Sequence, residues 1–271
     1  MPAGELSGKT AIVTGGGRGI GRAMALGLAA AGANVVVTAA RNPAEIEGVA
    51  IEAGRLDSGR VAPLIADVAA EADCRRTVEH AIRLFGAIHI VINNAARGMR
   101  FVNESFLEKA MPFWQVDSEV WRMIVDANVN GPFLMARAAA PHLIAQRWGR
   151  IINVSINLET MKRAGFSPYG PSKAALESAT AIWARDLEGT GVTVNALLPG
   201  GATATGMVPD GVSPEIRQGL FDPAIMVAPL IWLVSDRSDG FTGGRYVARR
   251  WNTRLEPAQA AERSRDPAGW R

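Results

Sequence analysis

The sequence predicts a doubly wound α/β protein, with about seven parallel strands and helices on both faces of the sheet. Three observations predict it. Short β-branched runs alternate with longer helical patterns along the whole chain. The runs are apolar throughout rather than alternating, as in strands buried on both faces. The first run leads into a glycine-rich turn and then a helix, the opening of a βαβ unit.

In order, the strand runs are Thr10–Thr14, Val35–Thr38, Val61–Ala66, Ile88–Ile92, Ile151–Val154, Val192–Leu198 and a seventh near Tyr246–Ala248. Between them lie helical stretches such as Gly21–Ala31, Glu71–Phe85, Ser118–Gln146 and Ser172–Leu187. The most apolar window, Ala23–Ala40, is broken by Gly27, Gly32 and Asn34, so it reads as helix, turn and strand and not as a membrane span. No repeat or linker divides the chain, and residues 1–271 read as one domain. Two long loops interrupt the rhythm. Residues 97–117 are rich in Met, Phe and Trp, and residues 200–223 in Gly, Pro and Thr. Both follow strands, at the carboxyl edge where open α/β sheets bind ligands, so both are expected to line a pocket.

Composition excludes several function classes. Formal net charge is +3, and Arg245–Arg271 holds seven arginines against Glu256, Glu262 and Asp266. The rest of the chain is therefore close to neutral and carries no nucleic-acid footprint. The basic tail, 249–271, reads as a solvated or subunit-contacting end. The single cysteine, Cys74, permits no internal disulfide, and the three histidines show no metal-ligand spacing. The opening MPAGELSGKT has no apolar signal region, so a soluble, cytoplasmic protein without membrane partners is expected.

The turn after the first strand, Thr14–Gly21, is TGGGRGIG, with Gly15, Gly19 and Gly21 spaced G-x-x-x-G-x-G. Glycines allow a tight turn and close backbone approach to a pyrophosphate, and the following helix offers free N–H groups and its positive dipole end. Gly15, Arg18, Gly19, Ile20 and Gly21 are thus expected to bind a dinucleotide. The second strand ends Thr38, Ala39, Ala40, without the acid that would hold ribose hydroxyls, and Arg41 follows. A missing carboxylate removes repulsion of a 2′-phosphate, and Arg18 or Arg41 could bind one. NADP(H) is the expected cofactor, with NAD(H) as the alternative.

With NNAA at Asn93–Ala96, NVNG at Asn128–Gly131, YGPSK at Tyr169–Lys173 and PG at Pro199–Gly200, the chain resembles the single-domain branch of the short-chain dehydrogenase/reductase family. The resemblance implies a Rossmann fold, a nicotinamide cofactor, hydride transfer between a secondary alcohol and a ketone, and a homodimer or homotetramer. It places Asp67 and Val68 beside the adenine, Asn94 and Ala95 along the cofactor, and Pro199 and Gly200 at the nicotinamide. Thr203 or Thr205 would lie near the carboxamide, since Ala204 holds the family's usual threonine place. Arg41 lies one residue beyond the family's usual basic position.

A hydroxyl proton must move when hydride does, so such an enzyme needs an acid/base. Tyr169 and Lys173 are four apart and share a helix face, where an ammonium would favour the phenolate. Pro171 fits the first turn of that helix. By the resemblance, Lys173 also bonds the nicotinamide ribose, and Asn128 holds a water of the proton relay. The family's substrate-orienting serine stands thirteen residues before the tyrosine, and here that position is Ile156. Ser155 is the expected substitute, reached by a one-residue shift. Asn157 could serve instead, or the site could work without this bond. The reading is an NAD(P)-dependent alcohol/ketone oxidoreductase. A nucleotide-binding sensor or scaffold of the same fold is the alternative.

Overall fold

The computed structural model describes residues 4–56 and 59–269; Arg271 of the basic tail lies outside the described residues. The elements run β1 (Thr10–Val13), α1 (Gly19–Ala30), β2 (Asn34–Ala39), α2 (Pro43–Ala53), β3 (Val61–Ile65), α3 (Glu71–Phe85), β4 (Ile90–Asn93), α4 (Ser118–Val125), α5 (Gly131–Ala145), β5 (Gly149–Val154), α6 (Leu158–Met161), α7 (Tyr169–Asp186), β6 (Val192–Leu198), α8 (Pro214–Gln218), α9 (Val227–Leu233), β7 (Gly244–Val247), α10 (Pro257–Ser264) and β8 (Arg265–Pro267).

Among the described residues eight strands form one sheet in the order β3-β2-β1-β4-β5-β6-β7-β8. All neighbours are parallel except β7 and β8. Successive strand residues point to opposite faces, and each face has its own core. Ala11 and Val13 of β1, with Val35 and Val37 of β2, pack with Met24, Leu28 and Trp232. Ile12 and Val36 pack on the other side with Cys74, Val78 and Met135. Fully burying such a side chain is worth roughly 1.5–3 kcal/mol, which is why unbroken apolar runs become interior strands. Pro63 sits in β3, paired only with β2, where a missing N–H leaves no ladder bond unmade.

Two features differ from the sequence expectation. The helix expected over Ser118–Gln146 is interrupted by a π-helical turn at Asp126–Asn130, which swings Asn128 inward. The basic tail folds back: α10 buries Ala260 and Ala261, and β8 pairs antiparallel with β7. β8 is three residues long and partly charged, so no apolar run announces it. Pairing and the contacts of Asp266 with Arg250 (2.9 and 3.0 Å) accompany it. Among the described residues no helix is long and apolar enough to cross a membrane.

Strand order reverses between β1 and β4, so the crevice above their carboxyl ends is the ligand position the topology dictates. A cavity of about 900 Å³ opens there.

Candidate active site

The glycine turn forms one end of that cavity. Gly15 and Gly19 take φ of +63° and +53°, where other residues are strained. A Cβ on Gly21 would fall 2.2 Å from the Gly15 carbonyl oxygen and 2.5 Å from Asn94 Nδ2. The turn is tied down from behind. Asn94 Nδ2 donates to the carbonyls of Thr14 (2.9 Å) and Gly15 (3.0 Å), and the Thr14 hydroxyl accepts from the backbone N–H groups of Asn94 and Ala95 (both 3.0 Å). The Asn94 amide is thus spent on shaping the turn. Helix α1 starts without a side-chain cap and without an acid in its first turn. Its N–H groups and dipole are free for an anion. This cradle fits the pyrophosphate of a dinucleotide, and Ile20 lines it with the glycines.

At the far rim, Arg41 lines the cavity, is exposed and makes no ion pair among the described residues. Arg18 also lines it but lies 3.5 Å from Glu45 Oε1, an acid the sequence reading did not single out. Asp67 and Val68 line the wall beyond β3, with Asp67 3.5 Å from Arg97. Pro199, Gly200, Thr203 and Thr205 line the opposite side. The Thr203 hydroxyl donates to the Gly201 carbonyl at 3.3 Å, whereas Thr205 packs against Gly19.

Helix α7 brings Tyr169 and Lys173 to the cavity floor. Lys173 is 3% exposed and its ammonium donates to the Val154 carbonyl at 2.8 Å. Burial pulls it down to about 8, against the opposing pull of Glu177. The Tyr169 hydroxyl meets Met207 Sδ at 3.8 Å, and burial pushes the phenol up to about 12. The ammonium stands 6.0 Å from the ring centre. Desolvation of the phenolate sets this direction, which is opposite to the lowering expected from Lys173.

Asn128 is fully buried. Its Oδ1 accepts from Arg97 N (2.8 Å), and its Nδ2 donates to Arg97 O (3.0 Å) and Ser172 Oγ (3.0 Å). Ser172 in turn donates to the Tyr169 carbonyl at 2.7 Å. Asn128 therefore joins the π-turn to the start of α7 and to the loop after β4. Ser172, an unremarked residue of the YGPSK run, is its partner there.

Ser155 lies at the end of β5, and its hydroxyl donates to Glu177 Oε1 at 2.6 Å. That carboxylate also takes Arg245 Nε at 2.9 Å, and Arg245 Nη2 donates to the Ile156 carbonyl at 2.8 Å. This departs from the expectation that Ser155 orients substrate, because its proton is already committed to a buried carboxylate. Asn157 lines the same wall, is partly exposed, and its carboxamide makes no hydrogen bond among the described residues. Neither Glu177 nor Arg245 carries a local signal for this role. Glu177 does fall on the Tyr169 and Lys173 face by its four-residue spacing.

Much of the remaining wall is apolar, with Met99, Phe101, Phe106, Phe166, Met207 and Leu220, and Arg100, Thr160 and Arg163 also line it. Both long loops contribute, as their position after strands predicted.

A doubly wound α/β sheet, a glycine cradle at its switch point and a tyrosine–lysine pair on the cavity floor define the class of nucleotide-dependent oxidoreductases. Comparison with known proteins gives the family. A profile of the short chain dehydrogenase family matches residues 9–215, and the chain belongs to that family. It is 35% identical over 259 residues to "NADPH-dependent aldehyde reductase 2, chloroplastic" of Arabidopsis thaliana, covering 88% of this chain and 91% of the relative. It is 30% identical over 249 residues to "Glucose 1-dehydrogenase 2" of Bacillus subtilis, covering 88% and 92%. A crystal structure of a short chain dehydrogenase from Burkholderia cenocepacia in complex with NADP superposes with a TM-score of 0.76 at 30% identity, covering 88% of this chain and 95% of that one.

Proposed function

We propose that the protein interconverts a secondary alcohol and a ketone with a nicotinamide cofactor, NADP(H) in preference to NAD(H), and works as a homo-oligomer. The observation that carries the reading is the pairing of Tyr169 and Lys173 on one face of α7, at the floor of a cavity whose other end is an anion cradle. When bound, the nicotinamide supplies hydride to a ketone or accepts it from an alcohol.

The chain's residues do the rest. The glycine turn and α1 hold the pyrophosphate. Arg41, exposed and free of ion pairs among the described residues, meets a 2′-phosphate, and no carboxylate stands at the end of β2 to repel it. A bidentate guanidinium–phosphate contact favours the phosphorylated nucleotide. Asp67, Val68, Ala95, Pro199, Gly200 and Thr203 flank the rest of it. The Tyr169 phenol keeps its proton at neutral pH and gives it to the carbonyl oxygen as that oxygen becomes an alkoxide. Lys173, cationic below about pH 8, stabilises the phenolate left behind. Asn128 braces the start of α7 and the loop after β4 around this pair. Asn157, not Ser155, donates to the substrate oxygen.

Tyr169→Phe should abolish ketone reduction while NADPH still binds, more tightly than NADH, in a fluorescence titration. Substantial turnover in that variant would remove Tyr169 from its role, and equal affinities would remove the NADP(H) preference. The engagement of Ser155 by Glu177 favours one other reading, a nucleotide-binding sensor without turnover. Failure to oxidise NADPH with any of a broad ketone and aldehyde panel would select it.

A further inference from the structure

The buried carboxylate of Glu177 has no part in proton transfer, yet every polar contact around it belongs to the site. Tyr169, Lys173 and Glu177 follow at four-residue intervals on α7, so they share a face. Glu177 is 1% exposed and Lys173 3%. Three consecutive residues at the end of β5 are each held by a charged side chain. The Val154 carbonyl takes Lys173 at 2.8 Å, the Ser155 hydroxyl gives to Glu177 at 2.6 Å, and the Ile156 carbonyl takes Arg245 at 2.8 Å. Arg245 closes the set by its 2.9 Å bond to Glu177. Glu177 Oε2 is buried and has no hydrogen-bond partner among the described residues.

We infer that Glu177, fixed by Arg245, is a positioning residue of the active site: it holds the Ser155 hydroxyl out of the substrate cavity and supplies the counter-charge that keeps Lys173 an ammonium. The inference rests on the proposed roles of Tyr169 and Lys173 for its catalytic consequence, but not for the charge coupling itself.

A buried ammonium with one neutral hydrogen bond is costly unless an anion compensates it. The groups facing Lys173 are Tyr169 and Glu177 from its own helix and the Val154 carbonyl from β5. Beyond Glu177 lies Arg245 on β7, and beyond that Asp266 on β8, 3.8 Å from Arg245. Of these charges, Glu177 is the one that raises the lysine against desolvation. Arg245 holds the carboxylate in place from the far side. With Ser155 turned toward this pair, the next polar side chain on the cavity wall is Asn157.

The test is direct because the sequence holds only four lysines, Lys9, Lys109, Lys162 and Lys173. Lysine labelled with ¹³C at Cε gives one NMR titration curve each, and Lys173→Arg assigns the signal by its loss. In the native protein the Lys173 midpoint is expected near pH 8. Glu177→Gln should lower it by about one unit, the size of effect an opposite charge at close range exerts. Ser155→Ala, which leaves the carboxylate in place, should shift it by much less. Glu177→Asp, which keeps the charge but retracts it, should lower the midpoint less than Gln does, and serves if the Gln variant does not fold. In ketone reduction, activity needs the ammonium and is lost as pH rises through the Lys173 midpoint. The alkaline limb of the kcat profile should therefore move down with the NMR midpoint. A folded Glu177→Gln protein, or failing that Glu177→Asp, with an unmoved or raised Lys173 midpoint overturns the inference. A lowered midpoint in a protein that reduces no ketone keeps the charge coupling and sinks the enzymatic reading instead.

Discussion

In the proposed reaction, Asn157 is the residue on which substrate binding turns. It ends the extended stretch after β5 and starts the short helix α6, with no side-chain capping bond to hold its carboxamide. Its neighbour Ile156 has no polar group, and the hydroxyl of Ser155 is committed to Glu177. Replacing Asn157 by Ala should lower kcat for ketone reduction by about 10²–10³, the usual loss for one donor to a developing oxyanion, while leaving NADPH affinity as it was. A loss below threefold in steady-state kinetics would return the role to Tyr169 alone. Cys74 shows the opposite situation at the same scale. Burial and then the neighbouring Asp73, Asp67 and Glu71 push its thiol up to about 12, so it behaves as a core side chain donating weakly to the Val68 carbonyl.

Among the elements, the two long loops are linked by one side chain. Arg100 lies in a 3₁₀ turn, Met99–Phe101, of the loop after β4. It reaches across to the loop after β6, donating to the carbonyls of Gly206 (2.9 Å) and Val208 (3.5 Å) and to Asp210 (3.3 Å), and it also pairs with Glu104. Met207 in the spanned segment touches the Tyr169 hydroxyl, so this latch sets how the second loop lies over the floor. Individual hydrogen bonds of this kind contribute about 0.5–1.5 kcal/mol. Arg100→Ala should therefore raise KM for the ketone about three- to tenfold, with a smaller change in kcat. An unchanged KM would mean that the loops hold their places without it. The π-turn is a second element-scale device, since without its extra residue per turn Asn128 would not stand over Arg97 and Ser172.

For the whole molecule, the sheet order puts the cradle over β1 and the Tyr169–Lys173 floor at the end of β5 and the start of α7, on one edge of one sheet. Phe113 and Trp114 before α4, Trp121 within it and Phe133 in α5 are exposed, and exposed large apolar groups in one stretch of chain point to a covered surface. The solution mass from light scattering should be a multiple of 28.7 kDa; a single chain at micromolar concentration would contradict the oligomer. The tail that looked like a free basic end is instead part of the sheet, and its acid Asp266 occupies two of the arginines, Arg245 and Arg250.

What the sequence determined by itself is what local pattern can encode. Unbroken apolar runs specify strands buried on both faces, the glycine spacing before α1 specifies a turn only glycines can make, and a four-residue interval puts Tyr169 and Lys173 on one helix face. The family followed from the order of these motifs. The tertiary structure decided everything that depends on which distant groups meet. Glu177 is 22 residues from Ser155 and Arg245 is 89 from Ile156, so no local pattern shows that they converge on the end of β5 or that the Ser155 hydroxyl donates there. The same holds for the Tyr169 phenol, whose direction of shift comes from burial and not from the neighbouring lysine. Desolvation and pairing are properties of the packed interior, and they exist only once α7, β5 and β7 lie against one another.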